Sequence, residues 1–141
     1  MAVTVSTFSA PAAPGAPDAQ YVPGVCNIGP DEIARRRRAG HLGALATVGT
    51  LLVLLAIGAP PLARLLVALP AAGAAIGYLQ AWLKFCAGFG SLGEFNFGPL
   101  GGTQRVADPA ARARDRARAA QIALAGAATG GLVGLLAMAL P

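Results

Sequence analysis

Three long apolar stretches alternate with polar segments along this chain, and each stretch is long enough to cross a membrane as a helix. They run from 42 to 59, from 65 to 83 and from 119 to 140. The hydrocarbon core of a bilayer is about 30 Å thick and a helix rises about 1.5 Å per residue, so each stretch can span it. The pattern predicts an all-α integral membrane protein with three transmembrane helices.

The basic residues lie almost entirely on one side of these predicted spans. Of the eleven Lys and Arg residues, only Arg64 falls between the first and second spans; the other ten precede the first or separate the second from the third. Because Lys and Arg accumulate in cytoplasmic loops, this predicts an N-terminus inside and a C-terminus outside. The arginines nearest the spans are expected to bind anionic lipid headgroups: Arg35, Arg36, Arg37, Arg38, Arg112, Arg114, Arg116 and Arg118.

Composition agrees with a membrane protein and argues against a soluble one. Hydrophobic residues make up 55% of the 141 and charged residues only 12%, which is too few to cover a globule. The net charge of +5 lies beside the spans, so orientation and lipid contact explain it better than nucleic-acid binding. Heavy use of Ala, Gly, Pro and Arg is typical of a GC-rich bacterial genome, and the inner membrane is the expected location.

The composition divides the chain into five segments. We expect a disordered Pro/Ala-rich arm (1–20), a cytoplasmic juxtamembrane segment (21–41), a hairpin of two transmembrane helices (42–83), a Gly- and aromatic-rich cytoplasmic interfacial loop (84–118) and a third transmembrane helix (119–141). Pro30 and Pro109 are typical of first helical positions, and Asp108 is a predicted N-cap. Pro70 is expected to kink the second span.

Glycines four residues apart on two of the spans predict close helix packing. Residues four apart share one helix face, and glycine there lets two backbones approach in lipid. The predicted packing residues are Gly73 and Gly77 on the second span and Gly126, Gly130 and Gly134 on the third. The spacing does not distinguish packing within the chain from packing against another subunit.

The interfacial loop combines aromatic side chains with repeated glycines. A short amphipathic helix, a re-entrant turn or a strand-like loop docked on a partner are all compatible with it, and we favour an ordered loop covered by membrane or protein. The segment 21–30 mixes turn formers with apolar residues, so we expect order to begin near Tyr21. The segments 25–30 and 93–97 have the composition of parts that a family would keep. The predicted partner-contact residues are Trp82, Phe85, Phe89, Glu94, Phe95, Asn96 and Phe97.

Few residues suggest catalysis or a cofactor. Cys26, His41 and Cys86 are all expected near the cytoplasmic interface and are the only candidates for a metal site. A closed zinc site needs four ligands, and these lack C-x-x-C spacing, so we expect reduced thiols and no bound metal or cofactor. The central parts of the spans have no ionisable residue, which disfavours an ion-coupled transporter.

Two classes of function remain open from the sequence. The first is a non-catalytic subunit or an assembly or stabilising factor of a larger bacterial membrane complex, with lipids and other integral membrane subunits as partners. The second is a small redox protein, or one that handles a metal or cofactor, through Cys26, His41 and Cys86. The sequence does not determine the oligomeric state.

Overall fold

A computed structural model describes residues 21–141, and the predicted disordered arm, 1–20, lies outside the described residues. Helices dominate the described part, with one small antiparallel ribbon in which Glu94 pairs with Arg105. The elements in chain order are α1 (Pro30–Ala56), a 3₁₀ helix (Pro61–Val67), α2 (Ala68–Trp82), α3 (Ala87–Leu92), β1 (Glu94–Phe95), β2 (Gln104–Arg105) and α4 (Pro109–Met138).

Three helical segments are long and apolar enough to cross a membrane. They are α1, the 3₁₀ helix together with α2 as one segment of 22 residues, and α4. Each contains most of one apolar stretch of the sequence, so the prediction of three membrane-spanning helices is confirmed at the level of length and composition. The chain therefore has the architecture of a multi-pass membrane protein.

Both basic segments that precede a span are helical extensions of that span. Helix α1 begins at Pro30, as predicted, and continues through the arginine run into the first apolar stretch. Helix α4 begins at Pro109, and the Asp108 carboxylate accepts hydrogen bonds from the N–H groups of Ala110 and Ala111 at 3.0 and 3.2 Å. This confirms Asp108 as an N-cap, which supplies acceptors for first-turn N–H groups that lack a partner within the helix.

The second span differs from the predicted kinked helix. Pro70 lies in the first turn of α2, and the seven residues Pro61–Val67 before α2 form a 3₁₀ helix. Proline has no N–H to donate to the carbonyl four residues earlier, so it interrupts the α-helical pattern of hydrogen bonds at this point. The irregularity is thus a change of helix type at the beginning of the span.

Helix α2 lies between α1 and α4 and packs against both through very small residues. A Cβ added at Gly77 would lie 2.6 Å from the backbone nitrogen of Gly40 on α1, and one added at Gly130 would lie 2.5 Å from the Ala68 carbonyl oxygen. Gly43 approaches the backbone of Ala74 equally closely. Any larger residue at these positions would force the helices apart.

The remaining glycines of the two predicted ridges behave differently from one another. Gly126 and Gly134 lie against α2 beside Ile76 and Ala68, in the same stripe as Gly130. Gly73 does not pack within the chain, because nothing lies within 4 Å of a Cβ added there. Gly73 is exposed on the surface of α2.

Arg64 bonds to two segments of the chain at the end of the helical layer that lies away from the basic segments. Its Nε donates to the carbonyl of Ala59 at 3.1 Å, and its Nη1 donates to the carbonyl of Leu140 at 2.6 Å. Both carbonyls lie just beyond a helix end, outside the regular helical hydrogen bonds, so the guanidinium supplies donors that the helices do not. Arg64 therefore connects the turn after α1 to the end of α4.

Candidate functional site

The segments 25–30 and 93–97 meet beside the beginning of α1. Ile28 and Asn96 form a parallel bridge, in which the Asn96 N–H donates to the Asn27 carbonyl at 2.9 Å and the Gly29 N–H donates to the Asn96 carbonyl at 2.8 Å. A Cβ at Gly29 would lie 2.9 Å from the backbone of Phe97. Glycine at position 29 therefore permits the contact between the two segments.

Asn27 connects this bridge to the chain that follows α2. Its side-chain oxygen accepts from the Cys86 N–H at 2.6 Å, and its amide nitrogen donates to the Cys86 carbonyl at 3.1 Å. Its own backbone N–H donates to the carbonyl of Lys84 at 3.1 Å. Asn27 is 0% exposed. Its amide loses its hydrogen bonds to water on burial, and these bonds within the protein replace them.

Asn96 has a similar role on the other side of the bridge. Its side-chain oxygen accepts from the Gly98 N–H at 2.9 Å, and its amide nitrogen donates to the Pro99 carbonyl at 3.0 Å and more distantly to Glu32 at 3.5 Å. These bonds determine the turn that leads from β1 towards β2. Asn96 is buried, so it connects elements within the chain.

Glu32 and Arg36 connect α1 to α3. The buried Glu32 carboxylate pairs with Arg35 at 3.0 Å and with Arg36 at 3.5 Å. The Arg36 guanidinium also donates to Cys86 Sγ at 2.8 Å and lies 5.8 Å from the centre of the Phe89 ring. Because Arg36 contacts a carboxylate, a sulfur and an aromatic face together, it is oriented into the protein.

Asp115 attaches the segment before α1 to α4. Its carboxylate is 0% exposed and accepts from the Tyr21 hydroxyl and from the Gly24 N–H, each at 2.7 Å. Burial, the hydrogen bond to Asp115 and the charge of that carboxylate all raise the pKa of Tyr21. The Tyr21 ring also stacks on Phe95, with ring centres 4.8 Å apart.

Together these side chains form two hydrogen-bonded groups at the end of the helical layer opposite Arg64, one of Tyr21 with Asp115 and one of the other five residues, and we call the two groups the polar cluster. Its members are Tyr21, Asn27, Glu32, Arg36, Cys86, Asn96 and Asp115. They join the beginning of α1, the end of α2, helix α3 and the beginning of α4. Hydrogen bonds and ion pairs within the cluster favour one arrangement of the elements around it, while the buried Nε of Arg36 has no hydrogen-bond partner among the described residues.

Several predicted partner-contact residues face the interior. Phe85 is 0% exposed and forms a small core with Ala119 and Ile122 of α4, and Asn96 is buried in the polar cluster. Phe95 packs on Tyr21 and Phe97. Trp82 is the exception, because it is 79% exposed at the end of α2.

The arginines predicted to bind lipid headgroups also divide into two groups. Arg36 is directed into the polar cluster, and the side chain of Arg112 lies against Gly93. Arg35, Arg37, Arg38, Arg114 and Arg116 are exposed, while Arg118 is partly buried and bonds to Gln121 at 3.3 Å. The exposed members remain available for anionic headgroups.

The three candidate metal ligands bond to three different partners. His41 Nδ1 lies 2.7 Å from the Tyr78 hydroxyl, Cys86 accepts from Arg36, and the Cys26 thiol lies 3.9 Å from the carbonyl of Ile28. Both thiols are free. Within residues 21–141, no group of three or more His, Cys, Asp or Glu side chains is arranged to hold a metal ion.

Sequence reasoning missed the residues that organise this site. Asn27, Glu32 and Asp115 were not predicted as buried, although Asp115 shows a usable signal. The buried positions of α4 recur every three or four residues, and the carboxylate occupies one of them among alternating arginines: Ala111, Asp115, Ala119, Ile122, Gly126, Gly130, Gly134 and Ala137. An acidic residue in register with a stripe of small residues predicts a buried, bonded carboxylate.

Comparisons of this chain with protein-family models, with curated proteins and with solved structures found no match.

Proposed function

We propose that this protein is a non-catalytic subunit, or an assembly or stabilising factor, of a larger membrane protein complex in the bacterial inner membrane. One observation carries the proposal: each span has a glycine that nothing in the described chain approaches. A Cβ added at Gly49 on α1, at Gly73 on α2 or at Gly131 on α4 would meet no atom within 4 Å. Since glycine in a membrane helix lets another backbone approach closely, these positions favour contact with helices of other subunits.

The arrangement of the helices supports the same proposal. Helices α1 and α4 flank α2, so the three spans form an open layer. In the most apolar 18 residues of each segment, only 6% is buried in α1, against 28% in each of the other two segments. A layer of this kind leaves its broad faces free to be covered by lipid or by the helices of a partner.

The polar cluster favours a structural role over a redox or metal-handling one. Its charged and amide groups bond to one another and to the backbone, which stabilises the junction of α1, α3 and α4. Cys26, His41 and Cys86 bond to separate partners. No contact among these three supports the alternative function.

Purification from native membranes in mild detergent tests the proposal. We expect other membrane subunits to elute with the protein in a fixed ratio. Gly73→Leu should release them without unfolding this chain, since its added side chain enters open space. Gly77→Leu provides the contrast, because it should separate α1 from α2 and destabilise the chain itself.

Two results would contradict the proposal. One is elution of the chain alone from native membranes. The other is retention of the co-eluting subunits after Gly49, Gly73 and Gly131 have all been replaced by leucine. A metal or chromophore bound stoichiometrically to the isolated chain would support the redox alternative.

We also propose that the polar cluster faces the cytoplasm, because ten of the eleven basic residues lie at that end. Leu62, at the opposite end, and Ala107, near the cluster, are both exposed positions for single cysteines. In a background without native cysteines, an impermeant thiol reagent should label Leu62→Cys in intact cells and Ala107→Cys only after permeabilisation. The reverse pattern would overturn the orientation and leave the fold unchanged.

A further inference from the structure

A groove between the beginning of α1 and the end of α2 has apolar walls and a cationic rim. Its volume is about 470 Å³. The side chains that define its chemistry are Ile33, Ala34, Ala81 and Trp82 on the walls and Arg37 and Lys84 on the rim. Since it lies where the apolar stretches of α1 and α2 meet the basic end of the layer, it is at the expected level of lipid headgroups.

The two cations of the groove have no carboxylate partner among residues 21–141. Glu32 is the acidic residue of α1 that is nearest to Arg37 in the sequence, and it pairs with Arg35 and Arg36. Arg37 and Lys84 form no ion pair in the described structure. The groove therefore presents two positive charges that an anionic ligand would neutralise.

Lys84 has an unusual backbone conformation that places its side chain at the groove. Its φ of 53° makes it the one non-glycine residue with positive φ in the described part of the chain. A Cβ is unfavourable in this conformation, and the hydrogen bond from the Asn27 N–H to the Lys84 carbonyl maintains it. Glycine would adopt the same backbone more easily, so the lysine side chain indicates a use for its charge.

A second, apolar cavity adjoins the groove at Trp82. It has a volume of about 410 Å³ and is lined by Tyr78, Leu79, Ala125 and Thr129 as well as Trp82. Because Tyr78 and Leu79 precede Trp82 along α2, the cavity extends from the groove towards the middle of the span. The indole of Trp82 is thus shared by a cationic space near the surface and an apolar space beneath it.

We propose that these two spaces together bind one anionic phospholipid. Its phosphate lies between Arg37 and Lys84, its glycerol region lies against Trp82, and one acyl chain occupies the apolar cavity. A soluble phosphate would use only the first space, whereas a phospholipid matches both the charge and the depth of the site. The proposal rests on the membrane insertion that the proposed function requires.

Trp82 is the only tryptophan of the chain, so its fluorescence reports on this site alone. The purified protein is reconstituted in vesicles of unlabelled phosphatidylcholine that contain a small, equal fraction of brominated phosphatidylglycerol or brominated phosphatidylcholine. Bromine quenches indole only at short range. We expect the anionic brominated lipid to quench Trp82 at lower mole fractions than the zwitterionic one does.

Variants that remove one positive charge test which residues produce the preference for the anionic lipid. Arg37→Gln and Lys84→Gln should each weaken the apparent affinity for brominated phosphatidylglycerol about fivefold, the effect of one cation near a lipid surface. Lys84→Arg should retain the preference. Arg38→Gln is the comparison for general headgroup attraction, since Arg38 belongs to the same arginine run and is exposed but does not line the groove, and it should reduce the preference less than Arg37→Gln does.

The outcomes distinguish failure of the lipid site from failure of membrane insertion. Equal quenching by the two brominated lipids, or an equal loss of preference in Arg38→Gln and Arg37→Gln, would overturn the lipid site and leave the membrane protein intact. Release of the brominated lipid by inorganic phosphate would also overturn it, because the site would then recognise phosphate without an acyl chain. Absence of quenching by either lipid would contradict membrane insertion itself.

Discussion

Helices α2 and α4 meet through backbone and very small side chains, whereas the elements around the polar cluster meet through side-chain hydrogen bonds. Along the spans, the hydroxyls of Thr47 and Thr129 bond to carbonyls of their own helices. In the described residues, side-chain bonds join spans only near their ends, at His41–Tyr78 and at Arg64. The spans thus pack together through complementary shape, whereas the elements around the cluster are joined by pairs of hydrogen-bond donors and acceptors.

The environments of the two regions explain this difference. In lipid, apolar burial does not drive helices together, so close packing of backbones supplies the attraction. At the end of the layer water competes for every polar group, and a group that is buried there must find a partner within the protein. The two regions should therefore respond differently to mutation: the spans to added volume, the cluster to the loss of an acceptor.

The largest effect should come from added volume at the α2–α4 contact. Gly130→Leu would place four carbons where a single Cβ already comes 2.5 Å from the Ala68 carbonyl oxygen, while a Cβ at the adjacent Gly131 meets nothing within 4 Å. We expect Gly130→Leu to lower the free energy of unfolding by about 3 kcal/mol and Gly131→Leu to leave it almost unchanged. Unfolding in mixed micelles by sodium dodecyl sulfate measures both.

Equal stabilities for these two leucine variants would show that α4 does not pack on α2 through the face of Gly130. Since leucine improves membrane partitioning at both positions, the comparison separates packing from insertion.

A smaller loss should follow removal of a buried acceptor in the cluster. Asp115→Ala leaves the Tyr21 hydroxyl and the Gly24 N–H without their acceptor, which should cost about 2 kcal/mol. Asp31→Ala, which removes an exposed carboxylate, is the control and should change stability by less than about 0.5 kcal/mol. Equal losses in the two variants would remove the distinction between buried and exposed acids that the comparison depends on.

The same contrast explains what the sequence could predict. Spans follow from apolar length, and the beginnings of α1 and α4 follow from Pro30 and from Asp108 with Pro109, because these signals are local. The partners of Gly77 could not be predicted, since Gly40 lies on another helix. Nothing near α2 in the sequence indicates that the peptide at position 86 pairs with an amide 59 residues away.

The aromatic residues near the end of α2 could not be assigned to a core or to a surface from the sequence. Aromatic content predicts an ordered loop covered by membrane or by a partner, and within the chain Phe85 fills a core with α4 and Phe95 packs on Tyr21. Aromatic side chains are equally suited to a core and to an interface, so composition alone does not separate the two. Only the tertiary contacts identify Trp82 as the exposed member.

Cys86 allows a finer test of how the cluster uses its acceptors. Its Sγ accepts from Arg36 at 2.8 Å and from the Phe89 N–H at 3.5 Å as the N-cap of α3. Cys86→Ser retains an acceptor and should match the wild-type stability, whereas Cys86→Ala should lose about 1 kcal/mol. The same unfolding titration measures both, and indistinguishable variants would show that the sulfur contributes only as a small apolar group.

The smallest effect at neutral pH should come from the titration of Tyr21, whose ionisation lowers stability only in alkali. The pKa of Tyr21 is raised in the folded protein by burial and by Asp115. Because the protonated phenol is favoured on folding, its contribution to stability is fully present below the ordinary tyrosine pKa of about 10 and is lost as the pH rises through the folded value.

The chain has two tyrosines, so a Tyr78→Phe background isolates Tyr21. In that background phenolate absorbance should appear only above pH of about 10, and Asp115→Ala should move it back towards that ordinary value. An ordinary pKa for Tyr21 in the Tyr78→Phe protein would mean that its hydroxyl is exposed to water. The segment before α1 would then not be attached to α4 by this bond.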